Sequence, residues 1–567
     1  MPNEQKVANR NVIFFMVFVV YIFAKIRNCF WIFYIVKNLF KTLYNFYYYI
    51  RLQTKYKIMA ADLKQTDSVA IKTGHPKGLY FLFFTEMWER FSYYGMRAIF
   101  ILFMTKILLM KDADASEIYG SYTGLVYLTP LLGGYLCDKF LGNRRSIIIG
   151  GLLMAIGQFF MFFSASAGAD GGVSLMWMGL TAIIIGNGFF KPNISTMVGQ
   201  LYPANDRRID SAFTIFYMGI NLGAFFSPLV CGSMDFKWGF LCAGIGMLIG
   251  LVAFILGQKK YLISEDGVPI GLPVKKLDSK SIGMIIGSIF IIFFMLNFKQ
   301  WFKSDLDIIS YFIYGAMVLM PILIFSDKSL SKIEIQRISV IFILAFFVIF
   351  FWGAFEQAGA SLTLFADRQT ERTLFGWEMP ASYFQSVNPL TVIALAPIMT
   401  IVWGFLYARK LEPSSPKKMA IGLGLVALGY VVIAIAVKGL GIGDKVSMWW
   451  LIGLYVIHTI GELCLSPIGL SMVSKLAPLR LSSLMMGTWF LANAAANKFA
   501  GTLSALIPGG EDGNGGATSF VGFQITNLYE FFILFIIMSG VAAAILFILS
   551  SWLEKRMHND HIETQVK

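Results

Sequence analysis

Long apolar runs, separated by short polar or Gly/Pro-rich breaks, dominate the chain after residue 77. Most of these runs are close to the length that an α-helix needs to cross a membrane, which is about 20 residues for a hydrocarbon core of roughly 30 Å. The pattern predicts about fourteen membrane-spanning helices, grouped as six, two and six. They lie near 79–103, 117–137, 145–165, 174–200, 211–232, 238–257, 281–298, 308–325, 336–365, 388–408, 417–437, 446–475, 482–506 and 526–552. The sequence therefore predicts an all-α polytopic membrane protein.

The first of these runs, 79–103, is interrupted by charges. Counted from Glu86, polar groups follow at +3, +4, +7, +8 and +11, which places them on one helical face. A charge at the centre of a membrane helix costs about 2.5–3.5 kcal/mol on insertion scales, so such a stripe is expected to line a wet cavity. An acid beside a base indicates ion handling inside the membrane, which is typical of a transporter. The stripe consists of Glu86, Glu89, Arg90, Tyr93, Tyr94 and Arg97.

The charge balance supports the membrane class. Only 14% of the residues are charged, against about a quarter in soluble proteins. The net charge of +14 comes from Lys and Arg that concentrate in alternate loops, so it indicates membrane orientation and not a nucleic-acid partner. Loops 138–145, 204–210, 259–280, 327–337 and 409–418 are basic, whereas 166–174 and 508–519 contain no Lys or Arg. This predicts a multi-pass protein of the cell (inner) membrane, with both ends of its core in the cytoplasm.

The first 58 residues have an unusual pattern. The apolar stretch 12–24 is short, residues 30–50 are rich in Phe, Tyr, Ile, Lys and Asn, and a secretory cleavage site is lacking. Met59 then opens a polar stretch typical of a cytoplasmic amino terminus. One hypothesis is that translation starts at Met59 and that 1–58 is an artefact of gene annotation. The competing hypothesis is an additional or interfacial amphipathic helix.

Neither the cysteines nor the histidines suggest a metal site. No two cysteines have CxxC spacing, so we expect small buried apolar side chains, without metal or disulfides. Only His458 lies within a predicted span. Since a nucleophile with its base is also lacking, the sequence predicts no enzyme and no cofactor other than a coupling proton. The cysteines are Cys29, Cys137, Cys231, Cys242 and Cys464.

Two further spans carry a buried charge. Lys191 directly precedes Pro192, where a helix bends and backbone groups are freed, although a lysine snorkelling to the headgroups is the alternative. Glu462 has His458 and Ser466 one turn to each side. Burial raises the tendency of such a carboxyl to hold a proton, while a structural carboxyl is the competing interpretation.

The remaining polar groups are harder to interpret. Glu356 and Gln357 again interrupt an apolar segment, but spacing does not decide whether they face a cavity. The turn 138–145 carries Asp138 and two arginines, which suits both a basic cytoplasmic turn and a two-state inner gate.

Several of these segments together resemble one family. Residues 86–95 resemble the ExxERFxYYG signature of the proton-dependent oligopeptide transporters, and the turn 138–145 resembles the loop signature of the wider major facilitator superfamily. The resemblance extends from about residue 78 to 553, and the helix pair at 281–325 is similar to that of bacterial members. It is also carried by 186–193, 216–223, 351–357, 386–389, Gly461-Glu462 with Pro467, and Trp489 within 487–493.

The resemblance implies the major facilitator fold, in which two six-helix bundles alternate access to a central cavity. It implies proton coupling by Glu86, Glu89, Arg90, Lys191, Glu356 and Glu462, with Lys191 exchanging salt bridges with Glu89. It also implies peptide binding by Arg97, Tyr93, Tyr94, Tyr127, Lys191, Asn221, Asn388, Glu462 and Trp489. Arg97 and Lys191 attract the peptide carboxylate in this scheme, while Glu462, Asn221 and Asn388 receive the amino terminus. Some members have a coupling histidine in the second helix. Residues 117–137 contain none, so coupling rests on the carboxylates.

The leading hypothesis is a proton-coupled symporter importing di- and tripeptides, with small peptides, protons and the lipid bilayer as partners, active as a monomer. A relative specialised for nitrate, an amino-acid derivative or a drug-like compound is one alternative; an intramembrane enzyme or a non-transporting sensor is another. The expected organisation is an N-terminal extension (1–77), a first bundle (78–258), a linker with two extra helices (259–333), a second bundle (334–553) and a tail (554–567).

Overall fold

A computed structural model describes residues 74–203, 206, 208–273, 279–441, 443–508 and 518–558. The hypotheses about residues 1–58 lie outside this part of the chain. Within it, fourteen long helices follow one another, together with one short helix. This confirms the predicted all-α membrane fold.

The helices fall into a first bundle, a hairpin and a second bundle. The first bundle contains α1 (Lys77–Lys106), α2 (Asp112–Leu136), α3 (Asn143–Ala167), α4 (Gly172–Gln200), α5 (Ile209–Cys231) and α6 (Phe236–Tyr261). The hairpin consists of α7 (Ser279–Phe302) and α8 (Ile308–Phe325). The second bundle contains α9 (Lys332–Phe355), the short α10 (Ser361–Arg368), α11 (Val387–Ala408), α12 (Ser415–Val437), α13 (Met448–Leu476), α14 (Ser482–Ser504) and α15 (Leu528–Met557).

Short strands occur only in connections of the described part of the chain. A parallel pair joins β1 (Thr370–Glu371) to β4 (Val446–Ser447), and antiparallel pairs join β2 (Thr373–Leu374) to β3 (Trp377–Glu378) and β5 (Thr518–Phe520) to β6 (Phe523–Ile525).

Hydropathy separates the long helices into two groups. Eleven of the described helices are long and apolar enough to cross a membrane by composition alone. The other three are α1, α2 and α14. These three carry polar and charged side chains into the interface between the bundles, so their low hydropathy follows from their position.

The bundles are joined mainly at one end. We call the end where α1 begins at Lys77 the near side, and the end where it reaches Lys106 the far side. On the far side, Lys106 Nζ lies 2.7 Å from Asp367 Oδ2. Arg368 Nη1 lies 2.5 Å from an Asp112 carboxylate oxygen, although α2 and α10 are distant in sequence. The structure is therefore a state in which the far side is closed.

One predicted helix is interrupted. The run 336–365 was expected to be continuous, but α9 ends at Phe355 and a 3₁₀ turn, Glu356–Gly359, precedes α10. Glu356 and Gln357 are 4% and 0% exposed, so this break brings polar side chains and free backbone groups into the interior. A broken helix at this depth is tolerated where it borders a cavity or packed protein.

The basic turn between α2 and α3 is a rigid near-side connection. Arg144 donates from Nε to the Ile270 carbonyl at 2.8 Å and from Nη2 to the Leu262 carbonyl at 2.7 Å. Gly142 has φ +73°, and a Cβ there would lie 2.3 Å from the Leu272 carbonyl oxygen, so only glycine fits. Arg144 thus fixes the connection after α6 against the start of α3.

Candidate transport site

The candidate site lies between the bundles. Helices α1, α2, α4 and α5 contribute one wall, and the turn after α9 together with α11, α13 and α14 contributes the other. All six members of the predicted stripe lie within the continuous helix α1.

The first element of the site is a charge cluster, which we define as Glu86, Glu89 and Arg90. Arg90 donates to both carboxylate oxygens of Glu89, at 2.8 Å from Nη2, and its Nε lies 3.1 Å from Glu86 Oε1. The three residues are at most 3% exposed. Two acids therefore share one base in a water-poor environment.

Asn187 adds an asymmetry to the charge cluster. Its Nδ2 donates to Glu89 Oε1 at 3.2 Å, so Glu89 is bound by both an arginine and an amide. Glu86 Oε2, by contrast, is buried and has no hydrogen-bond partner among the residues that the structure describes. Glu86 is therefore held less tightly than Glu89, and an unpaired buried carboxylate oxygen is costly.

Lys191 lies beside the charge cluster without forming the salt bridge implied by the resemblance. Its Nζ is 4.4 Å from the centre of the Tyr127 ring, a cation–π distance. Among the ion pairs of the described residues, Glu89 pairs with Arg90 and not with Lys191. The exchange of Lys191 between partners stays a prediction for another state of the protein.

Arg97 joins the two bundles. It forms an ion pair with Glu356, and its Nε donates to Tyr119 Oη at 2.6 Å. Glu356 therefore faces the interface, which spacing alone did not decide. The resemblance assigns the Arg97 guanidinium to the peptide carboxylate. In this state Arg97 is paired with the carboxylate of Glu356 instead.

Glu462 lies on the opposite wall of the site, on α13. It is 9% exposed, and its Oε2 accepts a hydrogen bond from Asn388 Nδ2 at 2.8 Å. The same amide lies 3.0 Å from Thr459 Oγ1, which fixes its orientation. Glu462 and Asn388 are thus brought together from α13 and α11, while their contact with a peptide amino terminus stays a prediction. Asn221 is directed to its own helix, since its Nδ2 donates to the Tyr217 carbonyl at 2.9 Å.

The predicted aromatic residues differ in their surroundings. The ring of Tyr93 contacts that of Tyr94 edge to face, and Arg97 lies 5.8 Å from the centre of the Tyr94 ring. Trp489 is only 3% exposed and packs closely on Gly469. Tyr94 and Tyr127 are partly exposed, whereas Tyr93 and Trp489 are buried. Their assigned contact with a ligand stays a prediction.

Three residues at the interface had no role in the sequence analysis. Asn187 lies within the motif 186–193, but the motif does not indicate its hydrogen bond to Glu89. The sequence does not indicate a role for Tyr119, because tyrosines are common near the ends of membrane helices. The sequence does single out Lys498, because it is a lone charge within the run 482–506. In the structure it is 1% exposed.

A close contact of glycines seals the far side. A Cβ added at Gly501 would lie 2.6 Å from Gly120 Cα, and next to this contact Ser116 Oγ lies 2.9 Å from Ser504 Oγ. We expect Gly501→Ala to push α14 away from α2, because overpacking costs about 1–3 kcal/mol. A cysteine introduced by Ser116→Cys should then react faster with a membrane-impermeant thiol reagent.

The control for this prediction is Gly404→Ala on α11, where no described atom outside the backbone of its own helix lies within 4 Å of the added Cβ. Equal labelling rates in both variants and in the parent would contradict the assigned contact.

Comparisons with known proteins agree with this geometry. The model of the POT family (PTR2) matches residues 144–514. The peptide transporter YePEPT of Yersinia enterocolitica subsp. palearctica is 37% identical over 456 residues, covering 76% of this chain and 88% of that protein. Dipeptide and tripeptide permease A of Escherichia coli is 33% identical over 457 residues, covering 79% and 88%. A crystal structure of a mutant of the peptide transporter POT in complex with alafosfalin has a TM-score of 0.73 and 32% sequence identity, covering 86% of this chain and 97% of that one.

Two six-helix bundles with a charged site between them define a membrane transporter of the major facilitator type. Within that class, the matches to the family model and to the full-length relatives identify the chain as a member of the POT family of peptide transporters.

Proposed function

We propose that this protein is a proton-coupled symporter that imports di- and tripeptides by alternating access. The observation that carries the proposal is the placement of opposite charges on the two walls. Lys191 on α4 contacts an aromatic ring, while Glu462 on α13 contacts a neutral amide. A short peptide is a zwitterion, so these two charges orient it without reading its side chains.

The strength of these contacts suits transport. A hydrogen bond to a charged group contributes about 1.5–3 kcal/mol, enough for orientation without a very tight complex. In this state Arg97 is paired with Glu356. We infer that a bound peptide carboxylate competes with Glu356 for Arg97, so that ligand binding alters a contact between the bundles.

The charge cluster is the proposed proton site. Protonation of one glutamate would leave Arg90 bound to a single carboxylate and would weaken the attraction between the charge cluster and Lys191. That couples proton uptake to the two states of the carrier. The membrane potential then contributes about 2.3 kcal/mol per charge per 100 mV to inward movement. The proton is the only coupling agent in the proposal, with no bound cofactor and no catalytic step.

The proposed orientation places the near side in the cytoplasm of a cell whose inner membrane holds the protein. It rests on the basic near-side turn that contains Arg144 and Arg145, and on Lys259 and Lys260 at the near-side end of α6. The structure then corresponds to the inward-facing state. We further propose that one chain is the transport unit.

The decisive experiment is uptake of a labelled dipeptide into proteoliposomes under an inward proton gradient. We expect accumulation above equilibrium that an uncoupler abolishes, together with substrate-driven acidification of the lumen. An N-acetylated peptide amide of the same side chains serves as the control substrate, because it lacks both terminal charges. No uptake would reject the proposed substrate class, and uptake unaffected by the uncoupler would reject the coupling.

A further inference from the structure

The transport cycle proposed above assigns no role to the hairpin of α7 and α8. Its tip lies on the far side, between Phe302 and Ile308. Helix α8 packs on both α2 and α14, which belong to different bundles. Ile313 of α8 is fully buried, and its Cδ1 lies 3.2 Å from the position of a Cβ on Gly124 of α2. The hairpin therefore contacts the pair of helices that closes the far side.

Lys498 connects these three elements. It lies on α14 and is 1% exposed. Its Nζ is 2.7 Å from Asp307 Oδ2 at the hairpin tip and donates to Ser121 Oγ on α2 at 2.9 Å. We call Lys498, Asp307 and Ser121 the latch. A buried ammonium is strongly unfavourable without such partners, so the latch depends on all three elements staying together.

Asp307 is fixed from its own side as well. It is the N-cap of α8, accepting from the Ser310 backbone N at 3.1 Å and from Ser310 Oγ at 2.8 Å. Burial raises the pKa of the Asp307 carboxyl, but the Lys498 charge and the Ser310 hydrogen bonds outweigh it and hold the pKa below its ordinary value. The carboxylate therefore stays charged at neutral pH, so its ion pair with Lys498 does not depend on proton uptake.

The latch lies beside the closest approach of the bundles. Ser116 on α2 meets Ser504 on α14, and Gly120 meets Gly501, so separation of these helices is what opening of the far side requires. When α14 leaves α2, Lys498 loses either Ser121 or Asp307, and a buried charge then loses part of its compensation.

We propose that the hairpin acts as a clamp on the far side, and that Lys498 and Asp307 are positioning residues that bias the carrier towards the far-side-closed state through the latch. This role concerns the conformational equilibrium and does not depend on the identity of the substrate. It also explains how a peripheral hairpin influences a cycle that takes place between the two bundles.

The test measures the conformational equilibrium in the substrate-free full chain, reconstituted in nanodiscs and lacking the native cysteines. Spin labels at Ala113 on α2 and Thr502 on α14, both exposed far-side positions, report the separation of the two helices by pulsed electron resonance. Asp307→Asn keeps a capping oxygen but removes the charge. We expect the far-side-open population to rise about tenfold.

Lys498→Met should have a similar effect without altering the start of α8. The double variant should resemble the single variants, because both changes remove one contact. Unchanged distances in Lys498→Met, or additive effects in the double variant, would overturn the proposal. Since no peptide is added, failure here is distinguishable from failure of the proposed transport function.

Two control variants separate the latch from general damage to the hairpin. Ser310→Ala weakens the same helix cap but leaves the ion pair, and it should retain the distances of the parent chain. Lys299→Met removes the pair with Glu117, which spans 2.8 Å but is nearly half exposed on both sides. Exposed pairs contribute little, so a change of less than about twofold is expected. A larger effect in either control than in Lys498→Met would also refute the latch.

Discussion

Glu89→Gln is expected to abolish proton-driven accumulation while exchange of peptide across the membrane persists. Glutamine cannot carry the proton, yet its amide oxygen still accepts the hydrogen bond from Asn187. Arg90 retains Glu86 at 3.1 Å, so the arginine is not left without a carboxylate. With the coupling removed, the accumulation ratio should fall to about one, the value for simple equilibration.

Two assays separate coupling from binding for this variant. Gradient-driven uptake measures the first, and counterflow into vesicles preloaded with unlabelled peptide measures the second. Glu371→Gln, which changes an exposed carboxylate on the far side, is the matched control and should behave as the parent chain. Full accumulation by Glu89→Gln would show that Glu89 is not essential for coupling.

The helices and the α1 stripe could be predicted because both depend on local periodicity. A run of about 20 apolar residues needs no partner to be recognised. Charges repeated at helical spacing are recognised in the same way. Because a charge that faces lipid is costly, such charges indicate that their helix face points away from the lipid. The spans and the grouping of Glu86, Glu89 and Arg90 therefore needed no knowledge of the tertiary structure.

The pairing of charges across the interface could not be predicted in the same way. Arg97 and Glu356 are 259 residues apart, and their contact depends on how α1 packs against the broken end of α9. The break itself was missed, because the segment up to Phe355 is as apolar as a continuous span. The Glu89–Lys191 contact is implied by the resemblance and not by periodicity, and in this state of the protein Glu89 pairs with Arg90 instead.

Lys498 shows a second kind of limit. The rule that identified the α1 stripe applies equally to a lone lysine in the run 482–506, but a single charge has no spacing from which to infer a face. Its partners Asp307 and Ser121 lie in loops and helices far away in sequence. The position of this charge is explained only by the packing of the hairpin against α14.

The arrangement of ion pairs suggests how binding and conformation are connected. Glu89 and Arg90 belong to one helix, so their contact survives any movement of the bundles as rigid bodies. The pair Arg97–Glu356 connects the two bundles, and the latch connects α14 to the hairpin and to α2, so both must change when the far side opens. The first of these lies in the candidate site, whereas the second lies on the far side.

Glu462→Ala should weaken transport of peptides with a free amino terminus far more than transport of amino-blocked peptides. Glu462 is a carboxylate of the second bundle, and Asn388 holds one of its oxygens at 2.8 Å while the other can face a ligand. Loss of a charged hydrogen bond of about 1.5–3 kcal/mol corresponds to a roughly tenfold to hundredfold rise in the half-saturation concentration. An N-acetylated peptide makes no such bond and should be little affected.

The matched control for this prediction is Thr459→Val, which removes the second partner of Asn388 but leaves the carboxylate. It should shift both kinds of peptide to the same modest extent, because it loosens the amide without removing the negative charge. Competition of labelled dipeptide uptake by free and acetylated peptides measures the ratio in each variant. An equal loss for both peptides in Glu462→Ala would refute the assigned contact. A selective loss places the amino terminus at α13 and, because the bound peptide is short, its carboxylate within reach of Arg97 and Lys191 on the opposite wall.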